Sequence, residues 1–159
     1  MQKLFLQSKT RGITAIGVLI AIGIIGMMSS IVLSAFGQFR ARQTLDASVE
    51  EVLAAFSAAH LDTVSSKNDD TYGVNLKNGE VIYFKGGVYP GDNDVNNMHF
   101  VLPGGIEVAN VSLNGGGNYI YYKRLSGATN YFGTFDVQVR SNTNLKTTVT
   151  VNQSGATSI

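Results

Sequence analysis

Cysteine is absent from the 159 residues, so the chain has no disulfide, no thiolate metal site and no cysteine nucleophile. Histidine is almost absent too: His60 and His99 stand 39 residues apart and offer little for metal or acid–base chemistry. Charge is sparse, at 14% of residues against roughly 25% in an ordinary soluble protein, and proline occurs only twice. With 8 phenylalanines, 7 tyrosines and no blocks of like charge, collagen-like, coiled-coil and disordered chains are excluded. No Ser/His/acid grouping, His–Glu zinc spacing, dinucleotide fingerprint or phosphate loop is present, so catalysis and a bound cofactor are not expected. The length fits one domain, or one domain with an accessory segment.

What is there is unevenly placed. Residues 1–12 hold Lys3, Lys9 and Arg11 and no acid; without them the net charge of +1 becomes −2, from 9 basic and 11 acidic residues. Ile13 through Phe36 then form 24 residues without a charge. As a helix that run spans about 36 Å, enough to cross a hydrocarbon core of roughly 30 Å. Helix is required there, because unpaired backbone groups in lipid cost several kcal/mol each. The undiluted upstream charges predict a cytoplasmic N-terminus and an outside location for residues beyond about 40. A secretory signal peptide fits poorly, since its apolar run is usually about 7–15 residues and the nearest cleavage candidate, Leu33-Ser34-Ala35, puts a large residue at the −3 position.

Gly23, Gly26, Ser30, Ser34 and Gly37 recur at three- and four-residue intervals, so they share one helix face. A stripe of small residues lets another helix approach closely where lipid removes the hydrophobic drive. Beyond the membrane, Leu45, Val49, Val52, Leu53 and Phe56 keep the helical period, and no proline or glycine interrupts residues 38–66. One helix is therefore predicted from about 13 to 64, with membrane lipid around 13–36 and an amphipathic half over 37–66. His60, near its end, reads as solvated or capping.

From residue 67 the pattern changes to short aromatic and β-branched runs. Predicted strands are Tyr72–Leu76, Glu80–Lys85, Met98–Leu102, Ile106–Val111, Tyr119–Lys123, Phe132–Arg140 and Leu145–Val151. Glycine-, proline- and asparagine-rich turns separate them, including Ser141-Asn142-Thr143-Asn144. The spacing implies an antiparallel meander or sandwich over 67–159, with the amphipathic half-helix as its second layer. The fold class is α+β.

The junction Arg11-Gly12-Ile13-Thr14 closes a basic leader with glycine and opens a long uncharged helix leading to a β-rich head. This resembles the class III signal of type IV prepilins and type II secretion pseudopilins. Thr71-Tyr72-Gly73-Val74, Leu102-Pro103-Gly104-Gly105-Ile106, the run at Tyr119–Lys123 and the segment from Val149 to Gly155 resemble the GspH/FimT group of minor pilins and pseudopilins. The resemblance implies a pilin fold and cleavage after Gly12 by a prepilin peptidase, with methylation of Ile13. It also implies packing against other pilins or pseudopilins through the helix, and assembly by an inner-membrane platform into a pilus or secretion pseudopilus. The head would then be periplasmic or extracellular. Members usually carry glutamate at the fifth mature position, which here is Gly17, and proline near position 22, which here is Ser34. The missing carboxylate suggests a minor or tip role, because a carboxylate–ammonium pair in lipid is a strong ordering contact.

Two other readings of the head remain open. Asp92, Asp94 and Asn96 occupy the first, third and fifth places of a calcium-loop spacing. Asn97 replaces the loop glycine and Pro103 the final glutamate, so a surface turn is expected and no metal. The resemblance also allows a DNA-uptake role, for which Lys123, Arg124, Arg140 and Lys146 are the candidate contacts. Between Lys67 and Lys146, however, 7 basic residues face 7 acidic ones, and the tail Gly155-Ala156-Thr157-Ser158 has no arginine. Such a neutral head argues against nucleic acid as a partner. A plain membrane-anchored binding module is the third alternative.

Overall fold

The computed structural model describes residues 14–159, except the side chains of Ser34 and Ala35. One helix, α1 (Ala15–Val64), is followed by a single 3-10 turn at Lys67–Asp69 and then by strands. These are β1 (Tyr72–Lys77), β2 (Glu80–Lys85), β3 (Met98–Val101), β4 (Ile106–Leu113), β5 (Tyr119–Tyr121), β6 (Gly133–Val139), β7 (Asn142–Val151) and β8 (Thr157–Ser158). The chain divides into two compact units, one ending at Phe39 and one spanning Arg40–Ile159. The expected α+β class is what is found.

In the second unit, both sheets are antiparallel and four-stranded, ordered β3-β2-β1-β5 and β4-β6-β7-β8. The α1 residues Leu45, Val49, Val52, Phe56 and Ala59 are buried in a common core with Val74, Leu76 and Ile120 of the first sheet and Phe135, Val137 and Val149 of the second. Of the periodic residues named above, only Leu53 is half-buried rather than buried. Small Ala55 and Ala59 fill the same face, which lets backbones come close. Past the helix end, Ser66 takes a left-handed conformation (φ 52°), and the Tyr72 N–H donates to Thr63 Oγ1 at 2.9 Å, fastening β1 to the helix.

All seven predicted strands are present, although β4 runs on to Leu113 and β5 stops at Tyr121, and two larger details differ from the sequence reading. β7 begins at Asn142, inside the expected turn, because Val139 pairs directly with Asn142 and only Arg140 and Ser141 reverse the chain. β8 was not anticipated: two residues carry no periodicity, and it exists because a tight turn (Asn152 N–H to Ala156 O, 2.9 Å) folds the segment back onto Val151. Gly133 has φ +153°, and a Cβ there would sit 2.0 Å from Ser112 O. Only glycine lets β6 run this close to β4.

Candidate functional site

Within the first unit, the uncharged helix is apolar on every side. Ile16, Leu19, Met27 and Leu33 are among its exposed side chains, each with about 70% of its surface open (68%, 69%, 73% and 73%). The helix has a mean hydropathy of 2.5 over its most apolar window, with nothing of that window buried, and is long and apolar enough to cross a membrane. Two of its serines are satisfied within the helix: Ser29 Oγ donates to Ile25 O and Ser30 Oγ to Met27 O, both at 2.8 Å. That back-bonding gives each hydroxyl hydrogen a partner and so lowers the cost of placing it in an apolar medium.

Of the small-residue face, Gly23, Gly26 and Gly37 have open space where a Cβ would stand. No described part of the chain covers them. The Ser34 side chain lies outside the described residues, as do Gly12 and Ile13. Gly17 donates its N–H to Thr14 Oγ1 at 3.3 Å. The threonine thus caps the helix at the N3 position, just where the resembling family carries glutamate.

On the head, the four cationic candidates are not one patch of free charge. Arg124 pairs with Asp69, Arg140 with Glu107 at 3.1 Å, and Lys146 with Asp136 at 2.8 Å. Lys123 donates to the neutral Asn130 Oδ1 at 2.9 Å. Lys67, Lys77 and Lys85 are paired as well, with Asp62, with Glu80 and Asp92, and with Asp70. A cation already held by a carboxylate offers less net charge to a phosphate than a free one.

The calcium-like stretch is spent on its own loop. Asp92 accepts from Lys77 Nζ at 2.8 Å and from the Tyr89 hydroxyl at 2.5 Å. Asp94 Oδ1 accepts from the backbone and side-chain nitrogens of Asn96 at 2.8 and 2.9 Å. Among the described residues no cluster of three or more His, Cys, Asp or Glu could hold a metal.

The second sheet carries a buried polar network centred on Asp136, which is 5% exposed. A bulge in β4 between Ala109 and Ser112 places Asn110 in a left-handed conformation (φ 51°) that asparagine tolerates. Its Nδ2 donates to Asp136 Oδ2 at 2.8 Å. Burial pushes the Asp136 carboxyl up, but the hydrogen bonds from Lys146, Thr148 and Asn110 outweigh it and hold it at about 2, below its ordinary 3.8. A depressed folded-state value means stability that is present above the unfolded value and is lost as pH falls through the folded one. Asp136→Asn is therefore expected to lower the urea midpoint of the head at pH 7. Its deficit against the unaltered chain should shrink between about pH 4 and pH 2. A deficit that stays constant across that range would contradict the assignment.

His60 is the residue that sequence reasoning placed worst. It is half-buried rather than solvated, edge-on to Tyr122 at 5.1 Å, with Nε2 buried and unpartnered like the Tyr122 hydroxyl. Gly127 and Gly155 close over it, since a Cβ on Gly127 would lie 2.2 Å from His60 Nε2. It packs where the helix meets the loops after β5 and β7, a meeting that no local pattern encodes.

No protein-family model matches the chain, and no curated protein sequence matches it. Among solved structures, two crystal forms of the type IV minor pilin FimU of Pseudomonas aeruginosa (strain PAO1) are similar. One superposes with a TM-score of 0.54 at 12% identity, covering 71% of this chain and 90% of that one. The other gives 0.57 at 13% identity, covering 76% and 91%. At such identity the likeness is one of fold, and the fold is pilin-like: a long N-terminal helix packed on antiparallel sheets.

Proposed function

We propose that this protein is a minor pilin or pseudopilin, a structural subunit that enters a type IV pilus or a type II secretion pseudopilus through its N-terminal helix. The observation that carries the reading is the apolar segment of α1, exposed on every side and bearing glycines with nothing over them, on a pilin-like fold. Lipid covers such a segment before assembly, and neighbouring helices cover it afterwards. The small-residue face supplies close approach, and dispersion with helix–helix packing replaces the missing hydrophobic drive. In this reading the N-terminus is cytoplasmic and the head periplasmic or extracellular. A prepilin peptidase cuts after Gly12 and methylates Ile13, and an inner-membrane platform drives assembly. The protein's own role is mechanical rather than catalytic. Gly17 in place of the customary glutamate favours a minor or tip position over a repeated one.

A photoreactive residue at Gly26 tests this in cells. Met28 lies about 200° around the helix from Gly26, so it serves as the opposite-face control. Strong cross-links to other pilin-like subunits from position 26, and weak ones from position 28, are expected. Protein cross-links that are absent, or equal at both positions, would remove the packing face from the proposal.

A further inference from the structure

Seven basic residues lie between Lys67 and Lys146, and six of them are held by carboxylates. Lys123 is the exception: among the described residues it meets no acid and donates only to an amide oxygen, Asn130 Oδ1. It also lines an open pocket of about 370 Å³ whose lining contains no acidic residue. With the other six basic residues between Lys67 and Lys146 compensated, one ammonium without a carboxylate at a polar pocket is a place where an anion can bind.

The walls of this cavity are fixed by backbone bonds between its own lining residues. Asn114 N–H donates to Phe132 O at 2.8 Å, Lys123 N–H to Ala128 O at 2.8 Å, and Thr129 N–H to Gln153 O at 2.9 Å. The loops after β4, β5 and β7 are thereby stitched into one rim. The backbone rim is formed before any ligand arrives, while the exposed side chains of Asn114, Lys123, Asn130 and Gln153 are what binding has to order.

The side chains define the ligand further. Lys123 Nζ has three donors and uses one on Asn130 Oδ1, which commits that amide oxygen and leaves the Asn130 Nδ2 hydrogens without a protein acceptor among the described residues. Asn114 Nδ2 donates to Asn130 O at 3.0 Å, so its own Oδ1 remains an acceptor. The Gln153 side-chain amide makes no hydrogen bond to any described residue, and Phe132 adds an apolar stretch of wall. A bare carboxylate would use donors alone. The amide oxygens of Asn114 and Gln153, which face open solvent, can accept from a ligand that also brings hydroxyl hydrogens. A single cation does not hold a polyanion, whose affinity grows with the number of phosphates neutralised.

We propose that this pocket binds a monoanionic acidic sugar, a hexuronate, with Lys123 taking the carboxylate and the amides of Asn114, Asn130 and Gln153 taking ring hydroxyls. A pocket of this size lies at the small end of ordinary ligand sites, roughly 300–1,000 Å³, and suits a monosaccharide or the end of an acidic glycan. The site is independent of the filament reading, because it lies wholly in the head.

The test is saturation-transfer NMR on the full chain in a polyoxyethylene detergent, which carries no sugar to compete. Glucuronate and galacturonate are the probes, with methyl glucoside, acetate and inorganic phosphate beside them. At least one uronate should give transfer that saturates and weakens as salt rises, while the neutral glucoside and acetate bind more weakly. Lys123→Gln is expected to weaken uronate binding about tenfold, the loss that follows from one charge-assisted contact. The backbone bond of residue 123 survives the change, so melting should be unaltered. Gln153→Ala, on a separate wall, should weaken the uronate but leave any acetate signal unchanged. The proposal is overturned by absence of uronate transfer, or by equal binding of acetate or of the neutral glucoside. Preference for phosphate, or uronate binding indifferent to both substitutions, overturns it as well.

Discussion

Phe56→Ala is expected to cost the head about 3–5 kcal/mol, the range for truncating a buried phenylalanine. Phe56 is 1% exposed, and its ring lies against Phe135 with centroids 5.5 Å apart and planes within 17°. Such a pair adds about 0.5–1.5 kcal/mol to what burial alone supplies. The contact joins α1 to the middle strand pair of the second sheet, so the cavity opens at the point where helix and sheet share their core. The surrounding residues cannot collapse into it, because Ala55 and Ala59 are already small and the sheet backbone is fixed by its ladder. Domains of this size are stable by about 5–15 kcal/mol, so the loss is a large share of the total. The chain has no tryptophan and 7 tyrosines, so near-ultraviolet circular dichroism of tyrosine reports head packing in a urea titration. A fall in the urea midpoint of at least about a fifth is expected for Phe56→Ala. Leu61→Ala, at a side chain 65% exposed on the same helix, should change it little. Equal effects of the two would mean that this helix face is not the core.

How much of this was readable from the residues depends on whether the signal is local. The helix announces itself twice: first by an uncharged run too long for a soluble core, then by the spacing of Leu45, Val49, Val52 and Phe56. The strands are legible because β-branched and aromatic runs alternate with glycine and asparagine turns, as in Phe135 through Val139, whose odd members face the core. Asn142 through Asn144 misled because an exposed strand edge has the composition of a turn: its side chains are polar and its pairing partner is set by β6. β8 is held by one turn and two paired residues, too few for any period to show.

The head surface was harder to read for a different reason. Counting charges correctly gave neutrality, but only coordinates show that neutrality is achieved pair by pair. Arg140 finds Glu107 and Lys146 finds Asp136 across strands, while Lys123 is left with an amide. Those partners are distant in sequence: 33 residues separate Arg140 from Glu107, and 55 separate Arg124 from Asp69. Likewise the burial of His60 depends on Gly127 and Gly155, which come from two loops far along the chain. Side-chain pairing across a sheet is a property of register, and register is fixed by the whole fold.

Gly12→Val is expected to have the largest cellular effect, an all-or-none change in the mature N-terminus. In cells with an active prepilin peptidase, the unaltered protein should begin at Ile13 and carry a methylated amine, and the variant should keep residues 1–12. Valine puts a branched Cβ beside the scissile bond, where glycine has no side chain to clash with a peptidase that must close on the backbone. The consequence is electrostatic. Uncut, the chain presents Lys3, Lys9 and Arg11 ahead of the helix; cut, its net charge moves from +1 to −2, since 9 basic residues then face 11 acidic ones. Three cations cannot follow the helix into a lipid or filament interior, where each costs about 2.5–3.5 kcal/mol near the centre. The uncut variant should therefore insert normally, with the leader held on the cytoplasmic side, and fail to leave the membrane for a filament. With Thr14 capping the first turn at Gly17, cleavage leaves only Ile13 and Thr14 ahead of α1, so the new terminus sits at the very start of the apolar rod. N-terminal peptide mass spectrometry of both proteins decides the matter: a leader retained on the unaltered chain beside an active peptidase would sink the processing step, and with it the reading of α1 as a filament helix.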